Sequence, residues 1–165
     1  MLKRVQLSNM CVDMTDDSTL GLYNLAVKLQ ARLGVLQEKI IAQDIAIAYK
    51  YASNIINGPF PMAENLFATN CEYALAYALL IKKRFAQGEE VISKHCHVSY
   101  RYARFVVRGP FPLGEPAIAQ DAEFSFYYAK QVLNGRFLAG EEAIAKNPHL
   151  SLKYMMAGLH NWNGQ

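Results

Sequence analysis

The stretch SKHCHVSY at residues 93–100 gathers side chains that bind metals and attack electrophiles, with Cys96 flanked by His95 and His97. A zinc site needs three or four ligands converging on one point. His95 and His97 are two apart, a spacing that diverges on a helix, and no carboxylate pair stands nearby to complete the set. His149 and His160 fall in distant parts of the chain. Cys11, Cys71 and Cys96 are odd in number and lack CxxC spacing, which argues against a disulfide framework and a structural zinc alike. Fingerprints of nucleophile elbows, phosphate loops, zinc proteases and dinucleotide sites are missing from the sequence. The expectation is a protein without catalytic residues, metal or cofactor, the weak rival being hydrolytic or transferase chemistry at His95–His97.

Two other sets of reactive side chains recur at fixed intervals. Tyr51, Tyr77, Tyr102, Tyr128 and Tyr154 are separated by 26, 25, 26 and 26 residues, and thirteen residues before each stands Glu38, Glu64, Glu89, Glu115 or Glu141. Regularly spaced aromatics can hold single-stranded nucleic acid by stacking. Five acids at equal intervals cannot meet in one active site, however, and a structural ladder is the stronger reading. Each Tyr falls at the edge of a buried helical stripe, where the ring is covered and the hydroxyl needs a partner. The repeated Glu is the obvious one, and in a first helical turn it also complements the helix dipole.

A third set is cationic. Residues 82–108 carry seven Lys or Arg against two Asp or Glu, a net +5, while the segments on either side are each −1 and the whole chain is +3. Arg101, Arg104 and Arg108 share a helix face opposite the buried stripe. Lys83, Arg84 and Lys130 extend the patch into neighbouring copies. Such a concentration attracts acidic proteins or phosphates. The total charge is small for a dedicated nucleic-acid binder, so a protein partner is expected first and nucleic acid second.

A period of 25–26 residues is the mark of a helical array. Within one copy Ala122, Ser125, Phe126, Ala129, Val132 and Leu133 follow the spacing of one helical face. The same columns hold Ile45, Ala48, Tyr49, Ala52, Ile55 and Ile56 earlier on. Asp44, Asn70, Asp121 and Asn147 are suited to cap the start of this helix, and Gly58, Gly109 and Gly135 to take a left-handed conformation at its end. Between the Glu and the cap there is room for about two helical turns, so each unit pairs a short helix with a long one. Phe60, Phe85, Phe111 and Phe137 stand four residues before their glutamates, with Gly34 at that place in the first copy. Each Phe is expected to pin its loop to the stack. The residue missing from the 25-residue copy is expected in the loop between Tyr77 and Phe85, and Cys71 and Cys96 read as small core residues.

The fold class expected is all-α, an α-solenoid of about five two-helix repeats. Residues 1–33 would form an N-terminal cap built on DDSTLGLYNLAVKLQARLG, residues 34–158 the repeats and residues 159–165 a polar tail, all in one domain. With 52% hydrophobic and 19% charged residues, no run approaches a membrane span and the start has no apolar leader core, so the cytoplasm is the expected location.

The phrase G-[PR]-F-x-x-[GA]-E-x-x-[IL] with Y-A at this spacing resembles tandem helical repeat proteins of bacteriophages and bacteria, over residues 34–158. Typical members keep a fuller GRFPEGE…IAKD…YAYYYA; Gly34, Ala86 and the missing residue near 83 depart from it. The resemblance implies the fold and a viral origin, with the host cytoplasm as location. It implies no shared activity. The function expected is a non-enzymatic protein–protein interaction scaffold that binds or inhibits a host protein, the alternative being a nucleic-acid binder using the central basic patch.

Overall fold

The computed structural model describes residues 17–159, and among them all regular structure is helical. None of the helices described is long and apolar enough to cross a membrane. Cys11 and the rest of residues 1–16, and His160 with the rest of the tail from residue 160, lie outside the described residues. The chain divides into two compact units, one ending at Thr69 and the other beginning at Asn70.

In the first unit, α1 (Thr19–Leu29) starts at Ser18, whose Oγ accepts the Gly21 N–H at 3.1 Å, and buries Leu22 and Ala26. It packs on α2 (Val35–Ile41) and α3 (Ile45–Tyr51), and α3 is capped by Asp44 accepting the Ile47 N–H at 2.9 Å. A π-helical turn, Ala52–Ile56, extends α3, and α4 (Glu64–Phe67) closes the unit. The second unit repeats the pattern with short α6 (Glu89–Ser93), α8 (Glu115–Ile118) and α10 (Glu141–Ala145). They alternate with long α5 (Cys71–Ile81), α7 (Cys96–Tyr102), α9 (Ala122–Tyr128) and α11 (Pro148–Met156). The long helices touch in chain order, α5 on α7, α7 on α9 and α9 on α11. Asn70, Asp121 and Asn147 cap their helices as expected, while His95 holds that place before α7 without a side-chain bond.

Several local expectations need correcting. The left-handed residues are Asn57, Arg108 and Asn134, at φ 50°, 58° and 48°, with Lys82 at 55° in the short copy; Gly58, Gly109 and Gly135 follow them and have no positive φ. The missing residue is not in the loop. From the left-handed residue to the next Phe is three residues in every copy, whereas from the anchor Tyr to the left-handed residue is six in three copies and five after Tyr77. The extra residue of the longer copies is taken up as a π-turn, at Ala52–Ile56, Ala103–Val107 and Ala129–Leu133, while α5 stays α-helical to Ile81. A π-turn is how one inserted residue fits inside an α-helix. Lastly, Leu33 and not Gly34 does the work of Phe in the first copy, since it is Leu33 that bonds the tyrosine.

The anchor tyrosines sit at the centre of the core, not at its edge: Tyr51, Tyr77, Tyr102 and Tyr128 are 0% exposed and Tyr154 is 2%. A buried phenol needs partners for its hydroxyl, and four are given the same two. The hydroxyl donates to the glutamate thirteen residues earlier, at 2.9 Å for Tyr51–Glu38, 2.7 Å for Tyr102–Glu89 and Tyr128–Glu115, and 3.2 Å for Tyr154–Glu141. It accepts the backbone N–H of the residue that opens the repeat, Leu33, Phe85, Phe111 or Phe137, at 2.8–2.9 Å. The rings of the first four anchor tyrosines pack on the Phe of the following copy, with centroids 5.4 Å apart for Tyr51–Phe60, 5.1 Å for Tyr77–Phe85 and Tyr102–Phe111, and 4.9 Å for Tyr128–Phe137. One side chain ties its own loop to its own short helix and its own repeat to the next.

Small residues make this stacking close. A Cβ added at Gly88, Gly114 or Gly140 would lie 2.8, 2.7 or 2.6 Å from the Cβ of Ala74, Ser99 or Ser125 on the preceding long helix. The buried Ser99 and Ser125 hydroxyls donate to the Ile92 and Ile118 carbonyls at 2.9 Å, so the contact leaves no polar atom unpaired there. Cys71 and Cys96 occupy first-turn positions and are half-buried rather than core residues.

Candidate interaction surface

The ladder absorbs one member of the basic set. Arg84 forms a two-pronged pair with Glu89, at 2.7 and 2.8 Å, and Arg32 and Arg136 pair likewise with Glu38 and Glu141. These three arginines come directly before Leu33, Phe85 and Phe137; Pro59 and Pro110 take that place in the copies between. A planar guanidinium matched to both carboxylate oxygens fixes the glutamate that receives the Tyr hydroxyl. Arg84 holds the Glu89 carboxyl below the usual carboxylate range, against the opposing effect of burial. Burial pushes the Tyr51 and Tyr102 phenols up to about 12 and moves Tyr128 and Tyr154 in the same direction.

The histidine cluster does not assemble into a site. The His95 and His97 rings are 6.4 Å apart, and His97 Nε2 lies 2.9 Å from the Glu72 carboxylate. Among the described residues no group of three or more His, Cys, Asp or Glu is placed to hold a metal ion.

Arg101, Arg104 and Arg108 are exposed on α7 and its π-turn, and they are brought together around Phe105. Phe105 is 49% exposed, an unusual place for a large aromatic side chain. It is the third residue after an anchor tyrosine, the position of Asn54 and Gln131 in other copies. There the amide is tied down: Asn54 Nδ2 donates to the Tyr23 hydroxyl at 2.9 Å, and Gln131 Oε1 accepts the Tyr100 hydroxyl at 2.7 Å. Phe105 has no such tether. The Arg104 guanidinium lies 4.8 Å from its ring centroid and donates to the Tyr100 hydroxyl at 2.8 Å, so one ring face carries a stacked cation.

On one side of Phe105 is an open groove of about 670 Å³ between the ends of α5 and α7, floored by Ala78, Leu79 and Val106. Lys82, Arg101 and Arg108 line it as well. On the other side a groove of about 370 Å³ is lined by Arg104, Arg108 and Gln131. Arg101 Nη1 is 3.7 Å from Glu72, the one acid in contact with this cluster among the described residues. Lys130 stands apart, 5.7 Å over the Phe126 ring, and Lys83 is exposed outside the lining of the larger groove. The structure thus brings the three arginines named from the sequence together with Lys82 and Phe105, which the sequence reading did not single out. The break in the Asn54–Gln131 column was the available signal for Phe105.

Comparison of the chain with family models, with curated proteins and with solved structures gives no significant match.

Proposed function

We propose that the chain is a non-enzymatic scaffold for a protein–protein interaction, an α-solenoid whose second unit presents its basic face to the partner. The observation that carries this reading is the division of labour between copies. Tyr, Glu, Phe and the small residues recur in copy after copy and hold the helices together. The departures gather where Phe105 and three arginines face solvent. Stacked repeats offer broad rigid surfaces on which a few exposed aromatic and arginine side chains dominate binding. The likeness to phage and bacterial repeat proteins points to a phage product acting on a host protein.

A second reading has its own support, since an exposed ring among arginines is also how single strands are gripped. Affinity purification from the natural host, with and without nuclease and at two salt concentrations, separates the two. A protein retained through nuclease, and lost when Arg101, Arg104 and Arg108 are changed to Glu, is the expected result. Recovery that needs nucleic acid and falls steeply with salt, as counterion release requires, would replace the scaffold reading with the nucleic-acid one.

A further inference from the structure

We propose that the groove between α5 and α7 is a docking site for an acidic peptide segment of the partner, one that places an apolar side chain between two carboxylates. This rests on the scaffold reading above and names what the scaffold holds.

Three features of the groove specify that occupant. The floor of Ala78, Leu79 and Val106, with Phe105 beside it, offers only hydrocarbon and an aromatic ring, which suits an apolar side chain. Arg101 and Arg108 lie seven residues apart with Phe105 between them, so at the helical rise their backbones are separated by about 10 Å. An extended peptide covers that distance in about three residues. The complement of cation, ring and cation is therefore two carboxylates about three residues apart with an apolar side chain between them, and Lys82 adds a third positive charge across the groove.

The backbone supplies an independent reason to see a built site. Lys82 and Arg108 both have left-handed backbones, at φ 55° and 58°, at the place where two other copies have Asn57 and Asn134. Asn tolerates that conformation far better than a long side chain does. Gln30, at the end of α1, is the further long residue so placed. In the second unit two of the three left-handed non-glycine positions carry cations, and those two line this one groove. Left-handed residues are a common way to end a helix, so what sets these two ends apart is the cation in place of Asn.

Peptide display against the immobilised full chain reads the groove directly. Sequences with an apolar residue flanked by Asp or Glu should be enriched. A synthetic peptide of the consensus should bind at least about tenfold more weakly to Phe105→Ala, as expected for an anchor residue, and more weakly again to the Arg101→Glu, Arg108→Glu double variant. Circular dichroism should show both variants fully helical, because all three side chains are exposed. Enrichment of peptides without acids, binding indifferent to Phe105→Ala, or no enrichment at all would overturn the groove assignment. In each of those cases the scaffold reading stands or falls separately, on whether the purified partner survives nuclease. A fluorescein-labelled single-stranded oligonucleotide that binds the wild type but not Phe105→Ala would overturn both.

Discussion

Removing one oxygen atom, by Tyr128→Phe, should destabilise this protein by a large share of its folding free energy. The Tyr128 hydroxyl gives its proton to Glu115 at 2.7 Å and takes the Phe111 N–H at 2.8 Å, and no water reaches it: Tyr128 is 0% exposed and Phe111 1%. A hydrogen bond to a charged acceptor is worth about 1.5–3 kcal/mol, and an orphaned buried N–H costs about 1–3 kcal/mol. The expected loss is about 3–5 kcal/mol, against a typical total of about 5–15 kcal/mol. Chemical denaturation followed by far-UV and near-UV circular dichroism measures it. Both probes are needed because a chain of two compact units can unfold in parts. Tyr127→Phe, next door and half-exposed, is the control and should change stability by no more than about 0.5 kcal/mol. Combining Tyr128→Phe with Glu115→Gln should cost less than the two changes added, because both act on one bond. A loss for Tyr128→Phe below about 1 kcal/mol, or strict additivity with Glu115→Gln, would refute the ladder as an energetic unit.

Alkali should unfold the chain in a narrow range. The buried phenols are held neutral, so their contribution is complete below the ordinary tyrosine value of about 10 and is lost as pH rises through the folded values, about 12 for Tyr51 and Tyr102. A pH titration should show part of the phenolate absorbance appearing only as helix is lost. Gly114→Ala should cost about 1–3 kcal/mol from overpacking, because its Cβ would meet Ser99 at 2.7 Å; Gly109→Ala, with open space around it, should be neutral or slightly stabilising by thermal melting. Arg32→Ala should destabilise more than Arg84→Ala in the same assay, since Glu38 is only 4% exposed and Glu89 is 13%. Losing the partner of a buried charge costs several kcal/mol at most, while an exposed pair is worth about 1 kcal/mol or less.

The all-helical class, the short–long pairing and the four polar caps were legible because they rest on spacing and on residue types with one main use. Asn147 before Pro148 has few other readings. The tyrosine network was half legible. Its glutamate partner follows from the thirteen-residue offset, whereas the second partner, the backbone N–H of Leu33, Phe85, Phe111 or Phe137, carries no side-chain signature. Wheel geometry placed the tyrosines at the edge of the stripe because it counts one helix at a time. The Phe of the following copy, packed on the outer side of each ring, moves that edge to the centre. Arg84 was read as surface charge because neighbouring Lys82 and Lys83 made it look like part of a run, and only the alternation of Arg32, Pro59, Arg84, Pro110 and Arg136 sets it apart.

The single missing residue relates the helix packing to the surface groove. α7 and α9 both continue through a π-turn, so their ends advance together, and the groove between them is the smaller, about 370 Å³. α5 has no π-turn and reaches its left-handed residue one position sooner, beside an α7 that does not; there the groove is about 670 Å³. Lys82 is that left-handed residue, and Phe105 lies across from it in the π-turn of its neighbour. The copy that is shorter by one residue, counted after its tyrosine, is thus the one that borders the wider groove and sets a cation at its rim.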